Sequence, residues 1–140
     1  MSIVKTVSKW LLALLMLTAG TLHFVKSDFF VRIVPPYLPL HLEIVWISGV
    51  CELGLGLLLL IPACTRFAAW GIIALLIAVF PANIYLYQHQ EILPASPTVH
   101  FLRLPLQAVF IVWAYWYTQP VRQRISLPQD EPPSLRPNAS

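Results

Sequence analysis

Apolar residues run through this chain in four long blocks, with the polar residues gathered between them. The blocks extend from about Val7 to Val25, Leu42 to Ile61, Phe67 to Tyr87 and Leu104 to Thr118. A bilayer-crossing helix needs about 20 mostly apolar residues. None of the blocks alternates like a barrel strand, so each predicts a spanning α-helix. The fourth is short but dense in aromatics, with Phe110, Trp113, Tyr115, Trp116 and Tyr117. The pattern predicts an all-α integral membrane four-helix bundle over residues 1–120. Beyond it, the polar and proline-rich residues 121–140 predict a disordered cytoplasmic tail.

The connections differ in character. Residues 26–41, "KSDFFVRIVPPYLPLH", predict a short interfacial segment after the first span. There Ser27 or Asp28 caps one or two helical turns, Phe29, Phe30 and Ile33 form an apolar face, and Pro35-Pro36 stops the turn. Residues 88–103 hold Pro94 and Pro97 and predict an irregular loop, after which Pro105 suits the first turn of the fourth span.

Composition reinforces the membrane reading. The chain is 58% hydrophobic and 11% charged, against about a half and about a quarter in soluble domains. The net charge of +3 does not imply nucleic acid, because the basic residues flank apolar blocks instead of forming a patch. Cys51 and Cys64 would lie roughly 20 Å apart along a helix, which excludes a disulfide between them. With no C-x-x-C, a thiol-exchange enzyme working alone is disfavoured. The first block could also be read as a signal peptide cleaved near Thr18-Ala19-Gly20, but apolar residues continue through Phe24 and Val25 and no A-x-A pattern appears.

Four spans put both termini and the Pro62–Arg66 turn on one side, with Lys5, Lys9, Arg66, Arg122, Arg124 and Arg136. The other side holds Lys26, Arg32 and Arg103. Six against three orients the termini to the cytoplasm.

Within the apolar blocks, ionisable residues cost about 2.5–3.5 kcal/mol at the bilayer centre on insertion scales, and so mark candidate sites. Glu52 lies near the middle of the second block. Ser48 and Gly56 are four residues to either side and Gly49 is three before it, so Glu52 shares a helix face with small residues that admit a neighbouring helix. A protonated acid gluing two helices together would need no more than this. His23 ends the first block, with Ala19 and Gly20 on its face; it can exchange a proton or simply bind a loop carbonyl. Pro81 removes the helical partner of the Ile77 carbonyl. Asn83 could satisfy that backbone, a neighbouring helix or a ligand. Arg103 and Gln107, four apart, point along one face, where Arg103 could also snorkel to headgroups. All these positions fall in the outer half of the bundle, while the inner halves read "LLALLML", "LGLLLLI", "FAAWGIIALL" and "WAYWY". The segregation predicts one polar cavity opening outward, floored by Glu52 with Arg103 as its ionic partner. No metal-ligand pattern is evident.

In order along the chain, "GTLHF", "VPPYLP", "SGVCELGLGLLLLIP", "TRFAAWG", "VFPANIYLY" and "RLPLQ" resemble the DoxX-like family of small four-helix bacterial membrane proteins. The resemblance covers about Ala19 to Tyr117. It implies a four-helix bundle in the bacterial inner (plasma) membrane and, by way of some members, association with thiosulfate:quinone oxidoreductases or oxidant-defence assemblies. His23, Glu52, Pro81, Asn83, Arg103 and Gln107 match the family pattern, which carries no settled catalytic role onto them.

Two functions stand at this point. One is a subunit of a membrane redox assembly that binds a quinone or similar lipophile. Arg103, Gln107 and Asn83 would contact its oxygens, and Glu52 and His23 would exchange protons. The other is a non-catalytic membrane scaffold or assembly factor. A proton or solute carrier is disfavoured by the apolar inner halves. Haem ligation by His23 with another outer-side histidine, such as His41 or His100, is a further alternative.

Overall fold

The computed structural model describes residues 2–120, so the tail expected over 121–140 lies outside the described residues. α1 covers Ile3–Val25, α2 Ser27–Ile33, α3 His41–Leu60, α4 Thr65–Gln88 and α5 Pro97–Tyr115, with one 3-10 turn at Gln90–Ile92 before α5. No strand occurs among the described residues. α1, α3, α4 and α5 are each long and apolar enough to cross a membrane.

Local chemistry sets the ends. Ser2 caps α1, its Oγ accepting the Lys5 N–H at 3.3 Å. The short segment after α1 is helical as the sequence suggests, but its cap is neither Ser27 nor Asp28. Lys26 holds the cap position without a side-chain bond, and Ser27, already in the first turn, donates to the Phe24 carbonyl at 3.0 Å. Leu40 then takes a left-handed backbone (φ 55, ψ 50) to turn the chain into α3, at a cost of about 1–2 kcal/mol for a residue with a β-carbon.

The largest departure from the sequence reading is at α5. It begins at Pro97, not Leu104, and ends at Tyr115, not Thr118. Ser96 is extended and Pro97 occupies the first turn, where its missing N–H costs nothing. Buried His100 fixes the new start, with Nε2 3.1 Å from the Leu93 carbonyl. Residues 97–103, expected in an irregular loop, are therefore helical. Pro105 sits inside α5 instead of its first turn, and Arg103 belongs to the helix rather than to a loop.

The bundle packs in the order α1, α3, α4, α5, with α5 resting mainly on α4 and α2 lying across α1, α3 and α4. The end that carries residues 2 and 120 is called the near end, and the opposite one the far end. In the near half, Leu12, Met16, Leu59, Ile72 and Ala114 form a dry core. There α5 clasps α1: Trp113 Nε1 donates to Ser8 Oγ at 2.7 Å, Tyr117 Oη donates to the Lys5 carbonyl at 3.2 Å, and Lys5 Nζ lies 5.6 Å from the Trp116 ring centroid. Lys9, read as a simple flanking charge, is in fact largely covered, at 6% exposure.

Glycines bring α1 and α3 into backbone contact. A β-carbon at Gly20 would lie 2.8 Å from the Gly49 carbonyl oxygen, and one at Gly49 would lie 2.8 Å from His23 Cβ. At Gly56 the nearest atom would be Met16 Cβ at 3.2 Å, whereas at Gly54 nothing lies within 4 Å. Gly49→Ala should therefore destabilise the folded chain by about 1–3 kcal/mol through overpacking. Gly54→Ala should leave it unchanged or raise stability by about 0.5–1 kcal/mol. Unfolding in detergent micelles measures both, and equal effects would contradict the close approach.

Candidate functional site

The far half of the bundle is hollow. A cavity of about 650 Å³, open on one side, is lined by α1 (Ala19, His23), α2 and its following loop (Phe30, Ile33, Pro35), α3 (Ser48, Glu52), α4 (Pro81, Asn83) and α5 (Arg103, Gln107, Phe110). The side chains expected to converge from separate helices do so: His23, Glu52, Asn83, Arg103 and Gln107 all line it, as does Pro81. Gly49 and Gly56 are buried behind this wall at the α1–α3 contact.

The α1–α3 approach sets His23 against Glu52, with Nδ1 and Oε2 3.0 Å apart and both side chains nearly covered. The same Nδ1 lies 2.9 Å from the Ala19 carbonyl. One N–H cannot align with both oxygens, and it points to the carbonyl. Glu52 Oε2 is thus within ion-pair distance yet buried without a hydrogen bond. One turn earlier on α3, Ser48 Oγ is likewise buried and unpartnered. The imidazole is steadied from its other side by Phe30, stacked at 4.0 Å between centroids with planes 20° apart.

The opposite wall is tied by amides. Asn83 Nδ2 donates to Gln107 Oε1 at 2.8 Å, and Gln107 Nε2 donates to the Leu76 carbonyl. Pro81 lies inside α4, which continues unbroken to Gln88. The carbonyl that Gln107 takes is Leu76's, one residue before the Ile77 carbonyl that the ring of Pro81 deprives of its helical partner. Asn83 accordingly serves the neighbouring helix and not its own backbone.

Arg103 lines the cavity half-buried but does not pair with Glu52. Among the described residues Glu52's ionic neighbour is His23, and Arg103 has no ion-pair partner. The reason is register: the glycine contact commits Glu52 to α1, while Arg103 projects from α5, which packs on α4. The other histidines face elsewhere, with His41 Nε2 3.2 Å from the Pro35 carbonyl and His100 Nε2 3.1 Å from the Leu93 carbonyl. No cluster of three or more metal-ligating side chains occurs among the described residues.

Sequence reasoning used Ser48 only as a small residue and gave Phe30 only an apolar role. The i, i+4 spacing of Ser48 and Glu52 was the available signal for a shared polar wall. Nothing in the sequence singles out the Ala19 and Leu76 carbonyls.

A family model described as Domain of unknown function (DUF8561) matches residues 12–118. The chain belongs to this family. Every residue that lines the cavity falls inside the DUF8561 match. No curated protein matches the chain, and no solved structure does.

The amide bridge makes an uneven prediction. Asn83→Ala should cost about 0.6 kcal/mol, the average of interhelical hydrogen bonds in membrane bundles. Gln107→Leu leaves the Asn83 amide without its acceptor, while the Leu76 carbonyl keeps its partner within α4, and should cost about 1–3 kcal/mol. The double variant should lose less than the sum of the two. Additive losses in denaturant unfolding would show that the bridge does not form.

Proposed function

We propose that this is a four-span membrane protein, related to the DoxX-like proteins, whose far-end cavity binds a lipophile of the quinone type within a membrane redox assembly. The observation that carries the reading is the cavity itself, mostly apolar, with polar groups delivered from four helices. Small-molecule sites have this make-up, at about 300–1,000 Å³. Arg103, unpaired among the described residues, would hydrogen-bond a carbonyl oxygen of the ligand. Glu52 and His23 would hold or exchange protons on the opposite wall. A partner would have to bring the electrons.

Membrane embedding is supported by the periphery. Ile47, Val50, Ile77, Val109 and Val112 are each more than half exposed, an arrangement that water would penalise and lipid would not. The reading places the protein in a bacterial inner membrane with cytoplasmic termini. One observation favours the alternative of a non-catalytic scaffold or assembly factor: the Asn83–Gln107–Leu76 bridge is already satisfied without a ligand.

Two measurements test the proposal. The full chain, purified in detergent, should bind a decyl-substituted benzoquinone saturably, and Arg103→Leu should weaken that binding about tenfold. The scaffold reading gains if the quinone produces no saturable signal. For orientation, Cys64 is half-buried at the near end beside the α3–α4 turn, whereas Cys51 lies on the apolar flank of α3. A membrane-impermeant maleimide should label Cys64 only after intact cells are permeabilised. Labelling of intact cells would reverse the topology.

A further inference from the structure

Two polar atoms on one wall of the cavity, a carboxyl oxygen and a hydroxyl, lack partners. Glu52 Oε2 and Ser48 Oγ are both buried, both without a hydrogen bond, and one helical turn apart on α3. Ser48 is only 8% exposed. Buried polar atoms are nearly always paired, because an orphan forfeits the hydrogen bond it made with water. His23 Nδ1 is 3.0 Å from Glu52 Oε2, but its proton is directed at the Ala19 carbonyl at 2.9 Å. Asn83 and Gln107 are engaged with each other and with Leu76 on the far wall. A ligand that completes this wall brings a donor to Glu52 Oε2 and offers an acceptor to the Ser48 hydroxyl.

The surroundings narrow the class. Phe30 and Phe110 line the same space, and Phe30 already carries a stacked ring; such aromatic walls favour a flat ring. Beside Arg103 and Gln107, the α5 side of the cavity offers an apolar strip: Val99, Leu102 and Leu106 line it while staying 44%, 54% and 49% exposed. α5 leans mainly on α4, and the hydrogen bonds that tie α1 to α5 and the residues just after it lie at the near end. An alkyl chain can leave the cavity along this strip.

We infer that the cavity selects an aromatic compound bearing a hydroxyl, a membrane-soluble phenol or hydroquinone, with its O–H donated to Glu52 Oε2, its oxygen accepting from the Ser48 hydroxyl, and its alkyl tail passing out beside Val99, Leu102 and Leu106. The inference rests on the lipophile-binding reading and adds a direction to it. The site prefers the reduced, hydrogen-bond-donating head over the quinone, whose carbonyls can only accept.

The test compares three probes of nearly one shape under anaerobic conditions: a decyl-substituted benzohydroquinone, its dimethyl ether and the corresponding benzoquinone. Each is titrated against the purified full chain, with the thermal unfolding midpoint and intrinsic tryptophan fluorescence as readouts. The hydroquinone should bind about tenfold tighter than either the ether or the quinone, the worth of one well-made buried hydrogen bond. Ser48→Ala, a change that keeps the helix and removes one hydroxyl, should weaken hydroquinone binding by at least threefold. Glu52→Gln, which exchanges an acceptor oxygen for a donating amide, should shrink the preference for the hydroquinone over the quinone by at least threefold, with far-ultraviolet circular dichroism confirming the helical fold of both variants. If all three probes bind alike, the donor-selective wall is refuted and the lipophile site stands. If none binds, both readings fall together.

Discussion

Backbone contact between α1 and α3 is the constraint from which the site follows. Gly20 faces Gly49 at a distance that leaves no room for a β-carbon, and this draws His23 down to 3.0 Å from Glu52. An acid carried alone at the middle of an apolar helix costs several kcal/mol in hydrocarbon. With a neighbouring helix this close, its carboxylate can share a wall with an imidazole and a cavity in place of lipid. The small residues on α3 therefore do two jobs. They pack one face of the helix, and they determine which partner Glu52 can have.

The same economy explains why the bundle is solid at one end and hollow at the other. In the near half, Leu12, Leu59, Ile72 and Ala114 fill the axis, and the α1–α5 clasp through Trp113 and Tyr117 closes it. In the far half, Pro81 interrupts the hydrogen-bond ladder of α4, and α5 reaches across with Gln107 to bind a neighbouring carbonyl. An amide that spans the gap between two helices holds them together without filling the space beside them. α2 and the proline-rich loop after it lie over that space and seal it with Phe30, Ile33 and Pro35.

Much of this was legible in the sequence, and the reasons are physical. Apolar blocks of bilayer length announced the four long helices, because hydrocarbon permits few other structures. The i, i+4 spacing around Glu52 announced a helix contact, since periodicity alone sets which side chains share a face. What the sequence did not disclose was pairing across helices. Arg103 was the chemically obvious partner for Glu52, but charge alone does not specify register, and the glycine contact gave that place to His23. The start of α5 was missed for a related reason. Pro94, Pro97 and the polar residues among them suggest a loop, and only the tertiary bond from His100 to Leu93 shows that helix resumes at Pro97.

The two walls of the cavity differ in a way that bears on what it is for. A polar network that exists only to hold helices together should be complete, because each missing bond subtracts from the stability it is meant to provide. The α4–α5 wall fits that description: Asn83, Gln107 and the Leu76 carbonyl satisfy one another. The α3 wall does not, since Ser48 Oγ and Glu52 Oε2 are covered and left open. Glue alone accounts for the first wall and fails to account for the second. An incomplete polar surface facing an apolar void is the complement of an amphiphile, and the asymmetry between the walls argues for a binding site built onto a bundle that the other wall already holds together.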